Sequence, residues 1–185
     1  EAHIVAAVKL FFENGHPASV YTLSSAAREI LTTLGIKQGI ETLLHQMAKW
    51  KGETLKEQID KAHVFANFFK HANKDPTAIV EFPEDEVDGI LFIACHDFGR
   101  ITGGLPVHGQ VYEGFWLAMT YRAASKLPLS KQKLAKNMFK AFYGVRSAKP
   151  SEQKRIGLAV LQRALADTGL QMEINREIKI ALDIV

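Results

Sequence analysis

Residues 84–102 read EDEVDGILFIACHDFGRIT, and this stretch decides the fold. Its leading acids suit the N-terminus of an α-helix, where the helix dipole places partial positive charge. From Ile90 to Cys95 every side chain is apolar, so a helix here has no polar face to offer to water. The stretch therefore predicts a central, buried helix with other helices packed around it.

The same helical pattern recurs on both sides of this stretch, and about eight helices are predicted in all. The others are expected at residues 2–13, 17–34, 37–51, 54–74, 110–126, 130–143 and 150–167. Residues 77–83 form the only short segment before residue 84 that reads as extended, and residues 170–185 fit a helix or a strand equally well. The fold class is therefore an all-α helical bundle. Residues 1–126 are expected to form its core, and residues 127–185 a basic helical part packed on the same domain.

Several residues set the predicted helix limits. Pro17 fits a first helical turn, and Gly35 is expected to end the second helix. Thr54 with Glu57 makes a capping-box pattern before the fourth helix. The core stripe of the second helix is predicted to hold Val20, Leu23, Ala27, Ile30, Leu31 and Leu34.

The length and composition of the chain limit the classes of protein to which it can belong. With 185 residues, 47 % of them hydrophobic, the chain has the size and apolar content of one globular domain. Cys95 is the single cysteine, which excludes an intrachain disulfide and favours a cytoplasmic setting. Its place in an apolar run predicts a buried, inert thiol. No apolar run reaches the roughly 20 residues that cross a bilayer, so no membrane helix is expected.

Charge is distributed unevenly along the chain. Residues 1–125 carry 11 basic and 15 acidic side chains, whereas residues 126–185 carry 12 and 5, which gives −4 and +7. Residues 126–149 contain seven Lys or Arg and no acid. Lys133, Lys136 and Lys140 share one face of the predicted helix there, where they would contact phosphates, although the pattern favours a solvated helix face.

Five polar side chains of the fourth helix share an arc of about 100° opposite a Phe-rich face. They are Asp60, His63, Asn67, Lys70 and His71, and we call them the polar stripe. A solvated face is the simple interpretation. His, Asn and Asp are mediocre helix formers, however, which favours a functional reason for their presence. All but His63 are candidate ligand-binding residues, and His63, Asn67 and His71 are candidate catalytic residues.

A metal site is not expected in the polar stripe. His63 and His71 are separated by eight residues, about 12 Å along a helix, which is too far to share one ion. Neither HExxH nor a paired ExxH motif is present, and no cofactor is expected. A metal-dependent hydrolase, with ligands from Asp60, His63, His71 and His96, stays an alternative.

A second polar group interrupts the central helix. His96, Asp97 and Arg100 lie on an otherwise apolar segment, with His96 and Arg100 four residues apart on one face. Buried charged groups require partners, so these residues form either a structural hydrogen-bond network or the wall of a binding site that includes His96 and Arg100. Glu29 and Glu113 are the acids expected to face them.

The segment NFFKHANKD at residues 67–75, preceded by AAREIL at residues 26–31, carries a family resemblance. It resembles the Asn-x-x-Lys-His signatures of small bacterial all-helical proteins, including relatives of the HEPN superfamily. The resemblance implies a helical bundle, often dimeric, in a group where many members cleave RNA through an Arg-x4-6-His motif. Asn67, Lys70 and His71 are the matching positions, and no Arg precedes a His at that spacing in this chain.

The functional expectation is therefore a protein that binds an anionic ligand, such as RNA or a nucleotide, through the polar stripe and the basic C-terminal part. The main alternative is a non-enzymatic interaction module that forms a homodimer or grips a protein partner. The sequence leaves open whether any reaction is catalysed.

Overall fold

The computed structural model describes residues 1–70, 81–120 and 139–167, together with residues 77, 79, 132, 136 and 137. These residues include seven α-helices and one short 3-10 helix, with further helical residues at 132, 136, 137 and 139–141, and none of them is in a strand. No helix in this described part is long and apolar enough to cross a membrane. The all-α prediction is confirmed. The elements are α1 (Ala2–Phe12), α2 (Pro17–Gln38), α3 (Leu43–Lys51), α4 (Leu55–Lys70), α5 (Glu84–Thr102), α6 (Val107–Thr120), the 3-10 helix (Val145–Ser147) and α7 (Pro150–Ala166).

Helix α5 is the centre of the bundle, as its sequence predicts. It packs most extensively on α2 and also contacts α1, α3 and α6. Both of its predicted limits are confirmed. Between Ile90 and Cys95 all side chains except the half-buried Phe92 are buried.

Helix α2 does not end at Gly35, and this prediction is wrong. The helix continues to Gln38 and closes at Gly39, whose φ of 68° is in the left-handed region that favours glycine. A Cβ atom at Gly35 would lie 2.7 Å from Cγ2 of Thr42 and 2.9 Å from the carbonyl oxygen of Ile40. The absence of a side chain at Gly35 therefore allows the loop that follows α2 to pack closely against this helix. As a result α3 begins at Leu43, later than the predicted residue 37.

The buried face of α2 also differs from the predicted apolar stripe. Val20, Ala27 and Leu31 are buried, but Ile30 is 51 % exposed and Leu34 is 37 % exposed. The helix is rotated so that small and polar side chains meet α5 and the other core helices. These buried residues are Tyr21, Ser24, Ser25, Arg28 and Thr32.

The remaining predicted helices agree with the structure where it describes them. The capping box before α4 is confirmed, with Thr54 N–H donating to Glu57 Oε2 at 2.6 Å and Glu57 N–H donating to Thr54 Oγ1 at 3.2 Å. Helix α6 begins at Val107, three residues before its predicted start. Residues 132, 136, 137 and 139–141 are helical, in agreement with the helix predicted at 130–143. The predicted helix ends at residues 74 and 126, and the ambiguous stretch 170–185, lie outside the described residues.

Two aromatic clusters hold the outer helices. Phe11 and Phe12 of α1 pack edge to face against Phe115 of α6, with ring centroids 5.7 and 5.4 Å apart. Helix α7 closes over this cluster, since it packs on α1 and α6. The second cluster fixes α4 on α2 through rings 5.0 to 6.1 Å apart, and it consists of Tyr21, Phe65, Phe69 and Phe82.

Candidate functional site

The orientation of α4, and so of the polar stripe, is set by Tyr21 of α2. Its ring packs on Phe65 and Phe69, and its hydroxyl donates a hydrogen bond to the carbonyl oxygen of Ala62 at 3.1 Å. This contact turns the apolar face of α4 inward. Asp60 and Asn67 are consequently exposed, and His63 is partly exposed beside α2.

Among the described members of the polar stripe, His63 meets another helix. Its Nε2 lies 3.3 Å from Oε1 of Glu29 on α2, and both side chains are about one-third exposed, at 28 % and 35 %. Glu29 was expected to face His96, but its carboxylate instead joins the polar stripe. The same oxygen lies 3.7 Å from Nη2 of Arg28, which is only 1 % exposed. A line of charged groups therefore runs from the buried Arg28 to the surface at His63.

Of the other described members of the polar stripe, Asp60 pairs within α4 and Asn67 faces solvent. Asp60 accepts a hydrogen bond from Nζ of Lys56 at 2.8 Å, one turn earlier on the same helix. Exposed ion pairs of this kind contribute little to stability, because water screens them. Asn67 lies one turn beyond His63 and faces solvent. His71 and the side chain of Lys70 lie outside the described residues.

Asp97 forms a structural connection rather than the wall of an open site. It is fully buried, and its Oδ1 accepts a hydrogen bond from the backbone N–H of Leu43 at 2.7 Å. Burial raises the pKa of Asp97 to about 7, while the Leu43 hydrogen bond, Arg100 and Arg28 oppose that rise. Because Leu43 is the first residue of α3, Asp97 satisfies one of the backbone donors that a helix N-terminus leaves open.

His96 is packed among aromatic rings. It is fully buried and stacks on Phe92 at 5.8 Å between ring centroids, and Phe92 in turn stacks on Trp116 at 3.9 Å. Burial, helped by the charge of Arg100, lowers the pKa of His96 to about 4. The imidazole is therefore neutral at physiological pH, which suits a core residue. Arg100 is partly exposed in the last turn of α5, where the helix dipole favours a cation.

Glu113 and Cys95 lie close to each other in the core, between α6 and α5. Burial raises the pKa of Glu113 to about 8, so its carboxyl holds a proton at neutral pH. Burial raises the pKa of the Cys95 thiol well above its usual value, and the Glu113 carboxylate adds to this effect once it is ionised. The prediction of a buried thiol is confirmed.

The basic part of the chain presents a second candidate site. Lys136 and Lys140 are exposed on helical residues four apart, whereas Lys133 lies outside the described residues. The ring of Tyr143 is 88 % exposed, and Lys149 beyond it is also exposed. We call Lys136, Lys140, Tyr143 and Lys149 the basic surface.

Contacts on either side of Tyr143 hold this segment on the bundle. Phe142 and Val145 are buried, and Gly144 between them has a φ of 79° that a side chain would strain. Arg146 donates from Nε to the carbonyl oxygen of Ala118 at 2.6 Å, and its guanidinium lies 5.5 Å from the centre of the Phe139 ring. Tyr143 is therefore directed into solvent by the buried residues on both sides of it.

The two candidate sites are on different parts of the bundle. Helix α4, which carries the polar stripe, packs mainly on α2 and α3, whereas the 3-10 helix after Tyr143 packs on α6 and α7. Sequence reasoning identified the lysines of the basic surface but missed Tyr143. Its neighbour Gly144 was the available signal, because a glycine at a helix end marks where the periodic face pattern stops.

Within the described part of the chain, no group of three or more His, Cys, Asp or Glu side chains is placed to hold a metal ion. No protein-family model, curated protein or solved structure matches the chain.

Proposed function

We propose that this protein binds single-stranded RNA through the basic surface. The observation that carries the proposal is the exposed ring of Tyr143, 88 % accessible, which lies between the exposed Lys140 and Lys149 in the sequence. Proteins that bind single strands combine cations that track phosphates with aromatic rings on which bases stack. The basic surface offers both.

The charge around Tyr143 supports this role over that of an ordinary solvated face. Solvated helix faces usually mix acids with bases, whereas residues 126–149 hold seven basic side chains and no acid. Repulsion among like charges lowers stability, and an RNA backbone relieves it. The resemblance of residues 67–75 to signatures of HEPN relatives, many of which cleave RNA, favours the same ligand.

The anchoring of the segment also favours binding. Phe142, Val145 and Arg146 tie the chain to α6 and α7 on both sides of Tyr143. The ring is therefore presented in solvent before any ligand arrives, which lowers the entropic cost of association.

Fluorescence anisotropy with a short labelled RNA strand tests the proposal. Tyr143→Ala is expected to weaken binding about tenfold, since stacking on one base contributes about 1–3 kcal/mol. Replacing Lys136 and Lys140 together by Gln is expected to weaken binding further. The matched control replaces the exposed Lys37 and Lys51, on α2 and α3, by Gln and leaves affinity nearly unchanged. Absence of binding at low salt, or equal losses in the control, would overturn the proposal.

We propose, as a second candidate function, that the face formed by α2 and α4 mediates homodimerisation. Glu29 and His63 join these helices, and the next residue on each is an exposed aliphatic side chain: Ile30 is 51 % and Val64 is 57 % exposed. Size-exclusion chromatography with light scattering tests this. A dimer that becomes a monomer on Val64→Glu, but not on Ile36→Glu, supports it, and a wild-type monomer contradicts it.

A further inference from the structure

An open cleft of about 200 Å³ lies among the ends of several helices, and none of its lining residues belongs to the polar stripe or the basic surface. Its apolar lining comes from α1, α2, α5 and α6, and consists of Phe11, Val20, Val87, Phe115 and Met119. This volume is below the roughly 300–1,000 Å³ typical of pockets for drug-sized ligands. The cleft therefore suits a small molecule with an apolar body.

Charged groups of both signs border this apolar lining. Asp85 and Asp88, three residues apart on α5, both line the cleft. Lys154 of α7 lines it as well, with its Nζ 3.2 Å from Oδ1 of Asn14 and 5.2 Å from the centre of the Phe11 ring. These two contacts hold the ammonium group of Lys154 beside the apolar lining. The cleft thus offers carboxylates to a cationic group and an ammonium to an anionic one.

Helix N-termini add partial positive charge to the cleft. The lining residues Pro17, Asp85 and Pro150 belong to the first turns of α2, α5 and α7. Helix N-termini carry partial positive charge and stabilise a nearby carboxylate. A carboxylate beside Lys154 gains from the N-terminus of α7, while an ammonium gains from Asp85 and Asp88.

From this arrangement we propose that the cleft binds a free α-amino acid with an aliphatic side chain. The side chain packs on Phe11 and Phe115, the α-carboxylate pairs with Lys154, and the α-ammonium pairs with Asp88. The amino acid needs no contact with the basic surface, since none of the residues of that surface lines the cleft.

Isothermal titration calorimetry with the full chain and leucine tests the proposal. Leucine is expected to bind, and three analogues are expected to bind at least about tenfold more weakly, because each lacks one charge-assisted contact. They are 4-methylpentanoate without the ammonium, 3-methylbutylamine without the carboxylate, and leucinamide with a neutral amide in its place. Leucinamide also distinguishes a free amino acid from the N-terminus of a peptide.

Single substitutions test which residues of the cleft contact the amino acid. Lys154→Gln and Asp88→Asn are each expected to weaken leucine binding by about tenfold or more, with Asp85→Asn as the substitute if Asp88→Asn does not fold. The matched controls Lys61→Gln on α4 and Asp167→Asn at the end of α7 are expected to have no effect. Failure of the wild type to bind leucine at millimolar concentration overturns the proposal. Equal binding of leucine and leucinamide, or unchanged binding by Lys154→Gln, overturns it as well.

Discussion

Asp97 on α5 and Leu43 at the start of α3 are joined by a buried hydrogen bond of 2.7 Å from the Leu43 backbone N–H to the Asp97 carboxylate. The two residues are far apart in sequence, so this bond fixes the N-terminus of α3 on the central helix. Arg28 lies close enough to Asp97 for its charge to oppose the rise in the pKa of that carboxyl. Asp97 therefore couples three helices, and its role is structural.

Asp97→Ala is expected to lower the free energy of unfolding by about 1–3 kcal/mol, because it leaves a buried N–H without an acceptor. Asp97→Asn keeps an acceptor oxygen and is expected to cost less. Urea unfolding of the two variants beside wild type measures the difference. Equal losses for Ala and Asn would show that the hydrogen bond contributes nothing.

The stability of the protein is expected to fall as pH rises from about 6.5 to 8. Burial raises the pKa of Asp97 from 3.8 to about 7 and that of Glu113 from 4.5 to about 8. Between its ordinary pKa and its raised pKa, each acid is protonated in the folded chain and ionised in the unfolded chain. Each acid therefore lowers stability as pH rises through that interval. His96 acts oppositely, since burial lowers its pKa from 6.5 to about 4, but its effect falls to half of its maximum at pH 6.5 and is nearly gone by about pH 7.5.

Urea unfolding at several pH values measures this slope, which is at most about 1.4 kcal/mol per pH unit for each acid. Glu113→Gln removes one of the two titrating acids and is expected to flatten the curve between pH 7 and 8. A wild-type stability that is constant or rises over that interval would contradict the assignment.

Gly157 of α7 is expected to tolerate no side chain. A Cβ atom there would lie 2.1 Å from Cε1 of Phe12, a ring held against Phe115 at 5.4 Å. Gly157→Ala is therefore expected to destabilise by about 1–3 kcal/mol through overpacking. Gly89→Ala in α5 is the control, because a Cβ there meets nothing within 4 Å, and it is expected to stabilise by about 0.5–1 kcal/mol. Thermal unfolding that shifts both variants in the same direction would contradict this account.

Cys95 is expected to be unreactive toward thiol reagents in the native protein. It is fully buried, and its raised pKa keeps it protonated. Ellman's reagent should therefore label the chain at the rate at which α5 becomes exposed, and rapidly in urea. Immediate labelling without denaturant would place Cys95 outside the core.

The limits of α5 were readable from sequence because its acids and its apolar run are local signals. The buried face of α2 was not readable from sequence, because the spacing of apolar residues takes no account of polar residues that are buried. Ser24, Ser25 and Arg28 are buried through contacts with other helices, so Ile30, placed in the core by the apolar pattern, is left in solvent.

The candidate sites were likewise only partly predictable from the sequence. The polar stripe was visible as one helix face, but the contact between His63 and Glu29 depends on how α4 crosses α2. That crossing is set by the packing of Tyr21 on Phe65 and Phe69, which are far from Tyr21 in sequence. The exposure of Tyr143 likewise depends on Phe142 and Val145 being buried against α6 and α7.

The salt dependence of RNA binding tests the central claim most directly. Anisotropy titrations between about 50 and 200 mM salt should give a linear fall of log K with log salt concentration. The magnitude of this negative slope should become smaller by about 0.7 for each phosphate contact that is lost. It should therefore become smaller by about 1.4 when Lys136 and Lys140 are both replaced by Gln. RNA binding with the same slope in wild type and in this double variant would contradict the proposal that the basic surface holds the strand.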